Sequence, residues 1–146
     1  MDTLFQKSKY EIINLVKEVV KTFVPNRPTC LVNDWSKNRI GFHLMQKHCR
    51  CPAPHHPACG EGHWKLVFAG SRFTIDSGSR YAPIEGEALA AVYGLQRCRM
   101  FLIGALHVIL VTDHQPLTRI FNDRELSRIE NPRILKLKGK NTDVLL

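Results

Sequence analysis

Nowhere in the 146 residues does an uninterrupted apolar run approach the roughly 20 that a membrane span requires, so the chain reads as soluble. The opening stretch, MDTLFQKSKYEII, carries charges every few positions and has neither the apolar core nor the small-residue cleavage site of a secretory signal. Cysteine is sparse: five in all, an odd number, with Cys49, Cys51 and Cys59 bunched in one stretch and Cys30 and Cys98 apart. That pattern excludes a disulfide framework and points to a reducing, intracellular setting, without separating cytoplasm from nucleus. Acidic residues are also few, six Asp and seven Glu against 21 Lys and Arg, leaving a formal charge of +8. Such a balance favours polyanions, nucleic acid foremost, through phosphate neutralisation. Charge alone does not decide the matter, because many basic domains bind nothing in particular.

With 44% hydrophobic residues the chain can bury one core, and no internal repeat divides it. Residues 4–23 place Ile12, Val16, Val19, Val20 and Phe23 at helical spacing among lysines and glutamates, and Pro25 ends the run. This predicts an amphipathic helix that packs on the domain or on a neighbouring body, since a lone helix gains little stability. From Thr29 the period changes. TCLVNDWS, with a strand ending at Asp34, and RIGFHLMQKH read as a hairpin; after a Pro, Cys and His-rich stretch, WKLVFAGSRF supplies a third strand. Three sequential strands imply an antiparallel meander. A helix opening at YAPIEGEALAAVYGL follows, then HVILVTD, whose continuous apolar character suits a parallel strand buried on both faces. Pro116 starts a short helix, PLTRIFND, and Pro132 begins or precedes a last apolar and basic segment. The organisation is an N-terminal helix and linker, residues 1–26, and an α/β domain, residues 27–146.

The scarce carboxylates are informative by position. Asp34 and Asp113 end strands, and Glu87 lies near the start of the helix. Ligand sites in open α/β sheets gather at the carboxyl ends of strands. If the first and fourth strands are parallel neighbours, Asp34 and Asp113 share one rim, where they repel unless a cation lies between them. A third carboxylate from the covering helix completes an oxygen cage suited to Mg²⁺. The competing reading makes Asp113 a cap for the helix at Pro116. Glu85 and Glu87 divide by position. Pro83 suits the first helical residue, which makes Glu85 the third, able to reach back to the free N–H at Ala82 as half a capping box. Glu87 stands over Ala91, Gly94 and Cys98, small residues that let a helix approach a sheet. The stripe through Leu89 and Val92 under Glu85 leaves the choice between the two glutamates open on spacing alone.

The strings LVNDWSKNRIGFHLMQ, GSRF, SRYAPIEGEALAAV and VILVTDHQPL resemble, in order and spacing, the ribonuclease H domain of gypsy-type LTR retrotransposon reverse transcriptases, over roughly residues 27–138. The resemblance implies a ribonuclease H-like fold and Mg²⁺-dependent endonucleolytic cleavage of the RNA strand of RNA/DNA hybrids, with Mn²⁺ as an alternative ion. Asp34, Glu87 and Asp113 take the positions of the family's catalytic, metal-binding carboxylates. The first helix is similar to the segment that joins the polymerase part to the ribonuclease H part, which makes that polymerase part the implied protein partner. Trp35 departs from the family, where a small residue follows the first aspartate, and so reshapes the mouth of the site; Ser36 matches. Past NPRILKLK the family pattern continues through a further strand and a closing motif with a fourth aspartate. Here GKNTDVLL follows, so a missing fifth strand is expected and Asp143 is a candidate remnant of that aspartate. The rival expectation is a catalytically inactive, truncated or co-opted domain that binds nucleic acid or a protein partner.

Two further groups invite weighing. Cys49, Cys51, His55, His56, Cys59 and His63 offer enough ligands for zinc, yet C-x-C, H-H and C-x₃-H match no standard spacing, which favours an insertion with free thiols over a zinc site. Arg97, Arg99, Arg119, Arg124 and Arg128, with Arg133, Lys136, Lys138 and Lys140, make the second half basic. They are candidates for a hybrid phosphate track, or for a charged face kept for solubility. His114, inside the matched TDH string, could assist near the metals or simply serve the helix start.

Overall fold

A computed structural model describes residues 2–49, 63–76, 80–105, 108–122, 131–132 and 136. Its elements run α1 (Asp2–Val19), β1 (Thr29–Trp35), β2 (Arg39–Lys47), β3 (Trp64–Phe73), α2 (Pro83–Leu102), β4 (Val108–Val111) and α3 (Gln115–Asn122). The sheet has the order β3-β2-β1-β4. β1, β2 and β3 form the antiparallel meander, and β4 joins β1 in parallel with Leu31 opposite Leu110. A bulge between Leu44 and Met45 of β2 and the facing β3 residues lets Phe68 oppose Leu44 and Leu66 oppose Met45, leaving Val67 as the extra residue.

One face of the sheet carries the core because alternate residues share a face. Leu31, Phe42 and Leu44 meet Leu95, Cys98 and Leu102 of α2, all buried. α2 lies close to the strands because Gly94 has no side chain: a Cβ there would stand 3.2 Å from Phe42 Cβ and 3.3 Å from Leu31 Cδ2. The small stripe of Ala91, Gly94 and Cys98 thus does what its spacing suggested. A second cluster joins Ala88 and Val92 of α2 to Leu117 of α3, so the short helix is held against the flank of α2. Aromatic rings link Phe23 to Phe101 (5.3 Å), Phe101 to Phe68 (5.7 Å) and Phe68 to Phe42 (5.7 Å), which anchors the segment after α1 to the domain. Gln46, fully buried, fixes the same segment. Its Oε1 accepts the Val24 N–H at 2.8 Å, and its Nε2 donates to Val24 O and Thr29 Oγ1, each at 3.0 Å.

Several details refine or differ from the sequence reading. The first helix ends at Val19 rather than Phe23, because Val20 forms a parallel bridge with Leu66 and the Lys21 N–H donates to Leu66 O at 2.8 Å. Backbone groups taken by β3 cannot continue a helix. The apolar stripe of α1 is not covered by the domain: Ile12, Val16, Val19 and Val20 are exposed. β4 is half-buried along its length rather than buried on both faces, because it stands at the end of the sheet; among the described residues no strand pairs with its outer side. The first strand also runs one residue past Asp34, to Trp35, and the short helix begins at Gln115, one residue before Pro116. The segment after Pro132 lies outside the described residues apart from Lys136.

A candidate metal centre of three carboxylates

β1 and β4 run parallel with Val32 opposite Val111, so both deliver their carboxyl ends to one rim. Asp34 follows Val32 by two residues on β1, and Asp113 follows Val111 by two in the turn after β4. Glu87 reaches the same rim from the second turn of α2. One carboxylate oxygen from each of the three lies within 4.8 Å of the others. Asp34 and Asp113 are exposed, whereas Glu87 is only 6% exposed.

The two oxygens of Glu87 differ. Oε1 accepts the backbone N–H of Trp35 at 3.3 Å, while Oε2 is enclosed and has no hydrogen-bond partner. Burial, then the negative charge of Asp113, pushes the Glu87 carboxyl up to about 7; the Trp35 N–H pulls it partly back and Asp34 adds a smaller upward push. A buried anion oxygen without a donor is costly. Two neighbouring carboxylates add to that cost, and a hard divalent cation bound by oxygen would relieve both. The donor set therefore fits a divalent ion of the magnesium class: all oxygen, anionic, with two ligands open to water.

Comparison with protein-family models matches residues 24–138 to the RNase H-like domain found in reverse transcriptase. The chain belongs to this family. Comparison with curated proteins returns no match. The matched region starts after α1, so the first helix precedes the RNase H-like domain, and β1 to α3 with all three carboxylates lie inside it.

Within the RNase H-like domain the neighbouring glutamates serve different ends of the architecture. Glu85 is turned to the helix start. Its Oε2 accepts the Ala82 N–H at 3.3 Å, and its Oε1 accepts from Asn131 Nδ2 at 2.9 Å. Asp113 does not act as a helix cap: the start of α3 is organised by His114, whose O accepts the Leu117 N–H at 2.9 Å and whose N–H donates to Thr112 Oγ1 at 3.2 Å. Arg97 and Arg99 are exposed but sit in the second half of α2. Arg97 is ten residues past Glu87, about 15 Å along the helix axis at 1.5 Å per residue, so it is not part of the rim. The side chain of Arg119 and all of Arg124, Arg128 and Asp143 lie outside the described residues. So do Cys51, His55, His56 and Cys59, so the Cys and His-rich stretch is described only at its two ends, Cys49 and His63.

Sequence reasoning did not find the part played by Trp35 and Gly86. A Cβ at Gly86 would lie 2.2 Å from Trp35 Cδ2 and 2.3 Å from Cε2, so the indole ring occupies the space above the glycine. The one available signal was Trp35 itself, a large ring where the resemblance led to the expectation of a small residue. Two exposed cations just past β1's carboxyl end are not among those singled out above. Lys37 and Arg39 flank the β1–β2 turn, and the Arg39 guanidinium stands 4.9 Å from the centre of the exposed Phe73 ring.

Proposed function

We propose that this domain carries out metal-dependent endonucleolytic hydrolysis of the RNA strand of RNA/DNA hybrids, as part of a reverse transcriptase of LTR-retrotransposon type. The observation that carries the reading is the convergence of Asp34, Glu87 and Asp113 within 4.8 Å, with Glu87 Oε2 left unpartnered, inside a family-matched RNase H-like domain. Asp34, Glu87 and Asp113 would hold Mg²⁺, or Mn²⁺ in its place. Ions of this class, paired about 4 Å apart, activate a water and stabilise the leaving oxygen of a phosphodiester. The carboxylates' own part is to fix that position at an open rim, with Glu87 buried beneath it as the rigid ligand. In this proposal α1, which precedes the matched residues, joins the domain to the polymerase part, and its uncovered apolar stripe faces that part. The protein works inside the cell, in keeping with the free, buried thiols of Cys30 and Cys98. No helix among the described residues is long and apolar enough to cross a membrane.

The test is cleavage of strand-labelled duplexes with Mg²⁺. The RNA strand of a hybrid is expected to be cut, with the DNA strand and a DNA duplex of the same sequence left intact. Hybrid bound but not cut would leave a binding domain instead of an enzyme.

Two further outcomes follow from the same geometry. Metal must displace the proton that Glu87 holds up to a pH of about 7, so affinity for Mn²⁺ is expected to fall by close to tenfold per pH unit below that value and to level off above it. In the metal-free protein the sign for stability is opposite to that of an ordinary paired carboxylate. The folded state binds the proton more tightly than the unfolded chain, so stability present below pH 4.5 is lost as the pH rises to about 7. Melting temperatures with and without Mn²⁺ across this window check both. Replacing Lys37 and Arg39 together by Ala is expected to reduce the slope of log binding constant against log salt by about 1–2 for hybrid binding, as loss of two phosphate contacts would. Binding isotherms over a salt series, using metal-free protein, measure it.

A further inference from the structure

We propose that Trp35 is a positioning residue for the carboxylate cluster, acting through an interlock of its indole ring with Gly86. The proposal rests on the metal-site reading above and names what holds that site in shape.

The juxtaposition is consecutive on both segments. Asp34 precedes Trp35, and Gly86 precedes Glu87, so the ring-on-glycine contact lies one residue from a cluster carboxylate on each side. The contact is deep. The atoms crowding the Gly86 Cβ position are Cδ2, Cε2 and Cε3, at 2.2, 2.3 and 2.7 Å. These belong to the six-membered ring and its fusion bond, so the body of the indole covers the glycine, and a rigid ring cannot bend its tip aside to admit a methyl group. The ring cannot easily leave with its backbone either, because Trp35 is paired with Ile40 in the sheet. A third link closes the arrangement: the Trp35 N–H donates to Glu87 Oε1 at 3.3 Å. The end of β1 and the first turns of α2 are thereby tied by a steric seat and a hydrogen bond at the place where Asp34 and Glu87 must approach.

The indole N–H does not supply the reason for a tryptophan here. Trp35 Nε1 is enclosed without an acceptor, so the position uses the ring for its shape and tolerates an unsatisfied donor. A flat ring of similar depth should therefore serve in its place, and a small side chain should not.

Four variants test this: Trp35→Ala, Trp35→Phe, Gly86→Ala and the double variant Trp35→Ala/Gly86→Ala. Each is measured by Mn²⁺ titration calorimetry, by thermal unfolding, and by kcat and KM on the hybrid. Trp35→Ala and Gly86→Ala are each expected to weaken Mn²⁺ binding by about ten- to a hundredfold, the range typical of residues that orient metal ligands, with kcat falling and KM for the hybrid little changed. The double variant should bind Mn²⁺ no worse than Trp35→Ala, because the methyl at residue 86 has no ring to strike; such non-additivity is the signature of a direct contact. Trp35→Phe should stay close to the parent. Parent-like Mn²⁺ affinity in folded Trp35→Ala overturns the positioning role while leaving the metal site standing, and additive losses in the double variant overturn the interlock. A parent that binds no Mn²⁺ overturns the metal-site reading and the positioning role with it. Should Gly86→Ala fail to fold, the contrast between Trp35→Ala and Trp35→Phe decides the proposal.

Discussion

Asp113→Asn is expected to reduce hybrid cleavage on the order of a thousandfold or more, since loss of an anionic metal ligand removes several kcal/mol of transition-state stabilisation at about 1.4 kcal/mol per factor of ten. Asparagine keeps the shape and one oxygen of Asp113 but not its charge, and the side chain is exposed, so packing has little to lose. The metal-free protein should even gain slightly in stability near pH 8. Asp113 is one of the charges that push the Glu87 carboxyl up to about 7, and its removal lets Glu87 ionise with less repulsion. Activity falling while the melting temperature holds or rises is a pairing that general unfolding does not produce. A gel assay of strand-labelled hybrid beside a thermal melt reads both. Equal cleavage by parent and variant would remove Asp113 from the site, and no cleavage by the parent would sink the enzymatic reading.

The largest effect on stability is expected on β1, the strand that pairs with β4. Leu31 is fully buried on β1, between β2 and β4, and packs in the cluster with Phe42, Leu44, Leu95, Cys98 and Leu102. Leu31→Ala should cost about 3–5 kcal/mol, the lost transfer energy plus a cavity that a central strand cannot collapse to fill. Against the roughly 5–15 kcal/mol typical of a domain, this is about a fifth of the total at the least and most of it for a marginal fold. Urea unfolding should show a lowered midpoint with an unchanged slope. The contrast is Leu15→Ala on α1, where the side chain is 60% exposed; that change should stay within about 0.5 kcal/mol. A large loss at Leu15 would mean that α1 is covered in solution.

The difference between those two leucines marks what patterning can reveal. Apolar spacing identified both the helix carrying Leu15 and the strand carrying Leu31, yet spacing reports a face that could be buried, and only packing decides whether it is. The end of α1 shows the same limit. Val20 and Phe23 fit the helical period, but Leu66, far along the chain, bridges Val20 and accepts the Lys21 N–H, and the helix ends at Val19. β4 looked buried on both faces because its side chains are uniformly apolar, whereas its burial depends on what stands beside it in the sheet.

What the sequence determined by itself is local: the three meander strands, the helix beginning at Pro83, the reach of Glu85 back to Ala82, and the small stripe that lets α2 lie close on the sheet. Each follows from backbone preferences or side-chain size within a few residues. The strand-end positions of Asp34 and Asp113 were legible from the pattern, while the choice of Glu87 over Glu85 rested on the resemblance of the surrounding motifs to the ribonuclease H family. Only the tertiary structure decided that these three oxygens converge within 4.8 Å, that Glu87 is held down with one oxygen unpartnered, and that an indole fills the space over Gly86. Those facts join residues 26 to 79 positions apart, and they depend on parallel pairing of β1 with β4 and on the depth at which α2 packs, neither of which any local stretch of the chain encodes.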